Sequence, residues 1–221
     1  MKKSDLKIYI FRHGETTYNR DEKFTGSNDA RLTAKGRKQA KVIAEKLKNK
    51  KFQVAIRSGL SRSIDTLTPV LKFHPECKLI LEENRITERN YGDLQGTTHE
   101  DFIKRIGKRG YDLRVEGDAI QDLEPRLKRK VQRFLGEEEY KAIHRGFNVA
   151  PPGGESFADV EKRVKDFIKD LKKFMKKHKV NVAISGHGNS IRLFRKIMEN
   201  SSIRETTSWN IPYDKIFTYT V

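Results

Sequence analysis

The chain has 221 residues, 47 of them Lys or Arg and 30 Asp or Glu, for a formal net charge of +17; 35% are hydrophobic and one is cysteine. A chain this long can bury a core without staples, a lone Cys77 excludes an intramolecular disulfide scaffold and fits a reducing compartment, and no apolar run approaches the ~18 residues of a membrane span. The positive surplus has three readings: solvated helix faces such as Lys162-Arg163, Lys172-Lys173 and Lys176-Lys177, steering of small anions, or nucleic acid. Met1 to Asp5 leads straight toward a strand pattern without the apolar core of a secretory leader, so a cytoplasmic location is expected.

Lys7-Ile8-Tyr9-Ile10-Phe11 predicts a strand from its β-branched and aromatic content. After a turn-rich stretch to Leu32, Thr33 caps a predicted helix with Ala40, Ile43, Ala44 and Leu47 on one face. Val54-Ala55-Ile56 reads as a short buried strand. Ser61 to Leu71 carries Ile64, Leu67 and Leu71 at helical spacing, with Pro69 leaving the helix's end open. Lys78 to Leu81 predicts another strand. From about 99 to 135 the chain is highly charged, poor in large apolar residues and broken by Gly107, Gly110 and Gly117; helical pieces forming an inserted lid are expected there.

Beyond Pro151-Pro152-Gly153-Gly154, Ser156 and Asp159 form a capping-box pattern. The helix they open carries Phe157, Val160, Val164, Phe167, Ile168, Leu171, Phe174 and Met175 on one stripe, a core face. Val180 to Ser185 predicts a buried strand, Asn189 to Met198 a helix and Ile216 to Val221 a closing strand. The repeated βα order predicts an α/β fold: a three-layer α/β/α sandwich with a mostly parallel sheet, one domain over 1–221 with a helical lid inserted at about 99–135.

The chemistry sits at strand ends. Arg12-His13-Gly14-Glu15-Thr16 begins where the first strand stops, and Ser185-Gly186-His187-Gly188-Asn189 holds the same place on a late strand. Ligands of open parallel sheets bind beyond the carboxyl ends of the strands, so the two histidines are expected to share one crevice. A neutral imidazole is a competent nucleophile toward phosphorus. Arg12, Arg62 and a protonated His187 can hold the charge of a phosphoryl group in transfer. Glu88 is a candidate acid and base, and Glu15 is expected to orient Arg12 or the loop. No Walker A motif and no close Cys/His metal cluster occurs, and Ile191 stands where a dinucleotide fingerprint needs its third Gly.

With these segments the chain resembles the histidine phosphatase superfamily, and within it the bisphosphoglycerate-dependent phosphoglycerate mutases. The resemblance rests on Arg12-His13-Gly14-Glu15-Thr16-Thr17-Tyr18-Asn19, Phe24-Thr25-Gly26, Leu32-Thr33, Arg62, and Glu88-Arg89-Asn90-Tyr91-Gly92-Asp93-Leu94-Gln95-Gly96. It continues in Gly136-Glu137-Glu138, Ala150 to Ser156 and His187 to Arg192, and covers most of 6–99 and 136–198. It implies that His13 accepts the phosphoryl group, that Arg12, Arg62 and His187 bind it with help from Asn19, and that Glu88 moves the proton. It further implies that Thr25, Gly26, Tyr91, Arg145 and Asn189 hold the substrate's carboxylate and second phosphate. The implied reaction interconverts 3-phosphoglycerate and 2-phosphoglycerate, primed by 2,3-bisphosphoglycerate and needing no metal, in glycolysis and gluconeogenesis.

Three departures keep a phosphatase of the same superfamily, with water as acceptor, as the alternative. Thr98-His99 stands where the mutases usually have Asn-Lys, and His99 would meet the carboxylate with positive charge only when protonated. His144-Arg145 stands where they usually have Arg-Arg. The segment between His99 and Gly136 is longer than in the shortest relatives, and the chain stops after its last strand, where relatives often carry a tail that excludes water. The expected partner is a small phosphorylated substrate. A membrane is not expected, nor nucleic acid, for which no surface interleaves aromatic and basic residues; a homo-oligomer is compatible with the sequence, which shows no clear interface pattern.

Overall fold

A computed structural model describes residues 5–221; the start of the chain read above as leaderless, Met1 to Ser4, lies outside them. Strands β1 (Lys7–Arg12), β2 (Val54–Arg57), β3 (Leu79–Glu82), β4 (Val182–Gly186) and β5 (Ile216–Thr220) form one sheet in the order β3-β2-β4-β1-β5. All neighbours are parallel except β1 and β5. The α/β sandwich expected from the βα order is therefore present, with β5 as an antiparallel edge.

Side-chain alternation divides the core between two faces. Ile8, Ile10, Val54, Ile56, Val182 and Ile184 point to α6 (Phe157–His178) and α7 (Gly188–Glu199), meeting the predicted apolar stripe of α6. Tyr9, Phe11, Ala55 and Ala183 point to α2 (Ala34–Leu47) and α3 (Ser61–Leu71). Every residue of β4 is buried, as a strand covered on both faces requires. The caps expected for α2 and α6 are made: the Thr33 side chain accepts from Gly36 N, and Ser156 and Asp159 complete a reciprocal capping box. Helix α3 runs through Pro69 to Leu71. Shorter helices, α1 (Thr17–Arg20) and α8 (Ile203–Ser208), flank the core.

The helical segment departs from its expected form. It is two long helices, α4 (His99–Glu116) and α5 (Pro125–Arg145), so it ends at Arg145 rather than near 135. Gly107 and Gly110 lie inside α4 and Gly136 inside α5; only Gly117 ends a helix. Their use is close packing: a Cβ on Gly107 would fall 1.9 Å from the Gln132 carbonyl oxygen, and one on Gly136 would fall 2.0 Å from that of Ile103. The helices cross with their backbones nearly touching, which glycine alone permits. Their inner ends bury Phe102, Ile103 and Ile143 against Phe24, Tyr91 and Leu94, placing α4 and α5 over the carboxyl ends of the strands. Among the described residues, no helix is long and apolar enough to cross a membrane.

Candidate active site

Strand register assembles the site. Arg12 of β1 lies opposite Gly186 of β4, and Arg57 of β2 lies opposite Ser185. The residues that follow each strand, His13, His187 and Ser58, therefore emerge level and adjacent. The His13 amide donates to the Gly186 carbonyl at 3.1 Å, and the two imidazole rings lie 5.1 Å apart. Ser58 Oγ sits 2.7 Å from His187 Nε2, and Arg62 Nε donates to His187 Nδ1 at 3.3 Å. With Nδ1 accepting, His187 carries its proton on Nε2 and donates it to Ser58.

His13 Nδ1 lies 2.7 Å from the Gly14 carbonyl oxygen. A carbonyl can only accept, so the ring proton is on Nδ1 and the lone pair on Nε2. Burial, then Arg62 and Arg12, holds the His13 pKa well below the ordinary imidazole value. The same is true of His187, through burial first and then Arg62, His13 and Arg12. His187 is thus neutral in the free protein. An arriving phosphoryl dianion opposes the arginines and favours its protonation.

Arg62 is fully buried. Its Nη1 and Nη2 donate to the carbonyls of Asn28 and Gly26, each at 2.7 Å, and burial lowers its pKa to about 10, so it remains a cation at neutral pH. Gly26 is held at φ +54°, where a Cβ would fall 1.9 Å from Gln95 Oε1; the left-handed turn that aims its carbonyl at Arg62 needs glycine. Arg12 donates Nη1 to the Ile211 carbonyl at 2.9 Å and lies 4.2 Å over the Tyr213 ring, while its buried Nε has no partner. Glu88 Oε1 accepts from the amides of Arg89 and Asn189 at 2.8 and 3.0 Å. One side-chain donor atom each of His13, Glu88 and His187 lie within 4.8 Å of one another. Such a trio has the types to hold a divalent cation, but the guanidiniums that depress both imidazoles favour an anion there.

Beside this cluster opens a cavity of about 170 Å³ whose wall includes Arg12, Asn19, Thr25, Gly26, Glu88, Tyr91, His99, Arg145 and Asn189. Nine of the twelve residues singled out in the sequence line one cavity, and the other three, His13, Arg62 and His187, are buried next to it through their contacts with Arg12, Gly26 and Glu88. Asn19 spends its Oδ1 on the Thr16 cap of α1. Glu15 ties the loop to α2 through Thr33 and Lys35 and does not bond Arg12.

Four further lining residues with polar side chains were not assigned a role from the sequence: Lys23, His144, Arg192 and Asn210. Arg192 is buried, its pKa lowered to about 10 by burial; it holds Asn189 Oδ1 and the Trp209 carbonyl, and its Nε has no partner. Asn189 Nδ2 reaches the Tyr91 hydroxyl at 3.3 Å. His144 stacks on Tyr140 with ring centroids 5.0 Å apart, and Tyr140 OH lies 3.3 Å from His99 Nδ1. Burial, then Arg145, pushes the His144 pKa down to about 3, and burial lowers that of His99. Both are neutral at physiological pH, so the fixed charge at this end of the cavity comes from Lys23, Arg145 and Arg192. The signal for Lys23 was its place two residues before Thr25-Gly26, and for Arg192 its place one turn after Gly188 on α7.

The sequence profile of the histidine phosphatase superfamily (branch 1) matches residues 8–141 and 119–218. The 2,3-bisphosphoglycerate-dependent phosphoglycerate mutase of Pseudoalteromonas atlantica is 28% identical over 205 residues, covering 92% of this chain and 88% of that protein. Among solved structures, the α-ribazole phosphatase of Shigella flexneri superposes with a TM-score of 0.70 at 21% identity, covering 96% of this chain and 89% of the other. A phosphoglycerate mutase from Bacillus anthracis gives 0.69 at 21% identity over 99% and 90%. A mycobacterial glucosyl-3-phosphoglycerate phosphatase gives 0.67 at 21% identity over 97% of both chains.

Proposed function

The chain belongs to the histidine phosphatase superfamily, and on that footing we propose that it moves a phosphoryl group through His13 and acts as a phosphoglycerate mutase. Nε2 of His13 attacks phosphorus, forming an N–P bond as the ester P–O bond breaks. Glu88, carrying the proton, gives it to the departing oxygen. Arg12, Arg62 and His187, protonated as the dianion arrives, hold the equatorial oxygens. In the companion step the free hydroxyl of a bound phosphoglycerate attacks phospho-His13, breaking the N–P bond to form 2,3-bisphosphoglycerate, and gives its proton to Glu88. The positive charge that a metal would otherwise supply comes from the two guanidiniums. In this reading 2,3-bisphosphoglycerate primes the enzyme by phosphorylating His13.

One observation carries the mutase reading: the cavity has a second cationic end. Lys23, Arg145 and Arg192 line it together with Arg12 and Glu88. A substrate with one phosphate next to His13 and a second anionic group beyond it matches that distribution, and the Pseudoalteromonas relative carries the mutase name. The phosphatase reading, with water attacking phospho-His13, draws on His99 and His144. Both are neutral where charge would grip a bisphosphate, so the intermediate is held less firmly.

Phosphorus NMR of the protein with 3-phosphoglycerate and a trace of 2,3-bisphosphoglycerate separates the two. The mutase reading expects 2-phosphoglycerate to rise to a stable equilibrium with little free phosphate. Steady phosphate release without the isomer would replace it by the phosphatase reading.

A further inference from the structure

β5 runs antiparallel to β1 with Ile216 opposite Phe11. The connection from α8 into β5, residues 209–215, therefore crosses just beyond the carboxyl end of β1, where Arg12 and His13 stand. It is fastened along its length. Arg192 Nη2 donates to the Trp209 carbonyl at 2.8 Å, and the Arg195 guanidinium lies 3.9 Å over the Trp209 ring. Arg12 Nη1 donates to the Ile211 carbonyl at 2.9 Å, and Lys46 Nζ to that of Asp214 at 2.6 Å. Pro212 restricts the backbone between the last two.

Tyr213 is the side chain that this strap sets beside the phosphoryl site. The Arg12 guanidinium carbon lies 4.2 Å from its ring centroid, and the His13 ring 6.5 Å from it. Two rings thus flank His13. His187 is fully buried, whereas Tyr213 is half-buried and also meets solvent. On that side Tyr213 stands between bulk water and an imidazole that is 2% exposed. Arg12 is held close elsewhere as well, since a Cβ on Gly188 would fall 3.4 Å from its Cζ. Asn210 and Ile211 line the cavity and Tyr213 does not, so its ring acts at the phosphoryl end and leaves the wall facing the rest of the substrate untouched.

Phospho-His13 has two fates. A bound hydroxyl can attack it, as described above. Alternatively the oxygen of a water bonds to phosphorus, the N–P bond breaks with its electron pair returning to Nε2, one water proton passes to Glu88, and free phosphate leaves. A bound acceptor is positioned by the cations of the cavity, while water needs only access. The ratio of the two fates therefore depends on how well the phosphoryl end is closed. An aromatic ring stacked on a guanidinium is a rigid, apolar cover, and the same stacking fixes the guanidinium it covers.

We propose that Tyr213 is the solvent cover of phospho-His13: its ring keeps water from the phosphorus and holds Arg12 beside it, and so sets how much of the phosphoryl group reaches an acceptor and how much is lost to hydrolysis. The inference rests on phosphoryl transfer through His13, and is indifferent to which acceptor is the ordinary one. Tyr213 is a positioning residue, acting through Arg12 and through exclusion of water.

The test is the lifetime of the phosphoenzyme without an acceptor. Wild type, Tyr213→Phe and Tyr213→Ala are labelled with 2,3-bisphosphoglycerate, freed of ligand by rapid desalting, and followed by phosphorus NMR for loss of phosphohistidine and gain of phosphate. Tyr213→Ala is expected to lose the group about tenfold faster than wild type, with unchanged far-UV circular dichroism. Tyr213→Phe should match the wild type, because the contacts are made by the ring and not by the hydroxyl. Equal lifetimes in wild type and Tyr213→Ala would overturn the proposal. A longer lifetime in Tyr213→Ala would also overturn it, leaving Tyr213 only the support of Arg12. A wild type that takes no label on His13 would overturn the phosphoryl-transfer reading and this inference with it.

Discussion

In the proposed reaction a buried imidazole beside two guanidiniums serves as the nucleophile. His13 is 2% exposed, its Nδ1 proton is committed to Gly14, and burial with Arg62 and Arg12 holds its pKa well below the usual value. The pH dependence follows. The neutral ring is the reactive one, and it persists to lower pH than a free imidazole. We expect the acid limb of kcat/KM to lie below ~6.5 once the substrate's own phosphate ionisation is divided out. A limb at or above that value would mean that His13 titrates outside this environment. At this scale the site was largely legible, because its residues lie in contiguous segments at strand ends. What was not legible is what tertiary neighbours do to a charge: that His187 and His144 are neutral follows from burial beside Arg62 and Arg145, and no local sequence shows it. The His99–Tyr140–His144 stack joins residues 41 apart on two helices, and becomes visible only when the helices cross.

The elements were read well where periodicity is strong, as in α6 and β4, and less well where glycine has two meanings. Gly107 and Gly110 read as breaks in a charged segment, yet both lie within a helix, as does Gly136. A glycine that stops a helix and one that admits a neighbour's backbone look alike without the neighbour. The crossing of α4 and α5 makes the difference measurable. Gly136→Ala would ordinarily favour a helix by ~1 kcal/mol, but here the new methyl meets the Ile103 carbonyl at 2.0 Å. Overpacking of this kind costs about 1–3 kcal/mol, so the substitution is expected to lower the urea midpoint. Since α4 begins at His99 and α5 ends at Arg145, both in the cavity wall, it should also raise KM more than it lowers kcat. A raised urea midpoint would contradict the packing account.

Across the whole molecule, three histidines, His13 and His187 buried and His144 partly so, make stability depend on pH. His13, His187 and His144 all have native pKa values below that of the unfolded chain. Above ~6.5 neither state binds these protons and their contribution to stability is complete. Below it the unfolded chain binds protons the native state refuses, so stability is lost as pH falls, by up to ~1.4 kcal/mol per pH unit for each histidine. The urea midpoint is expected to be lower at pH 5.5 than at 7.5, and His144→Gln should shrink the difference; equal midpoints would contradict the assignment of neutral buried rings. The net charge of +17 suits a small anionic substrate drawn to a cavity lined by four cations, Arg12, Lys23, Arg145 and Arg192. The proposed function stands on one covalent event, the transfer of a phosphoryl group to His13. Rapid acid-free quenching of the protein mixed with 2,3-bisphosphoglycerate, followed by peptide mass spectrometry, observes it directly. The account predicts a single phosphoryl group on His13, stable to alkali, lost in acid and absent from His13→Ala. A phosphoryl group on any other residue, or full turnover by His13→Ala, would contradict it.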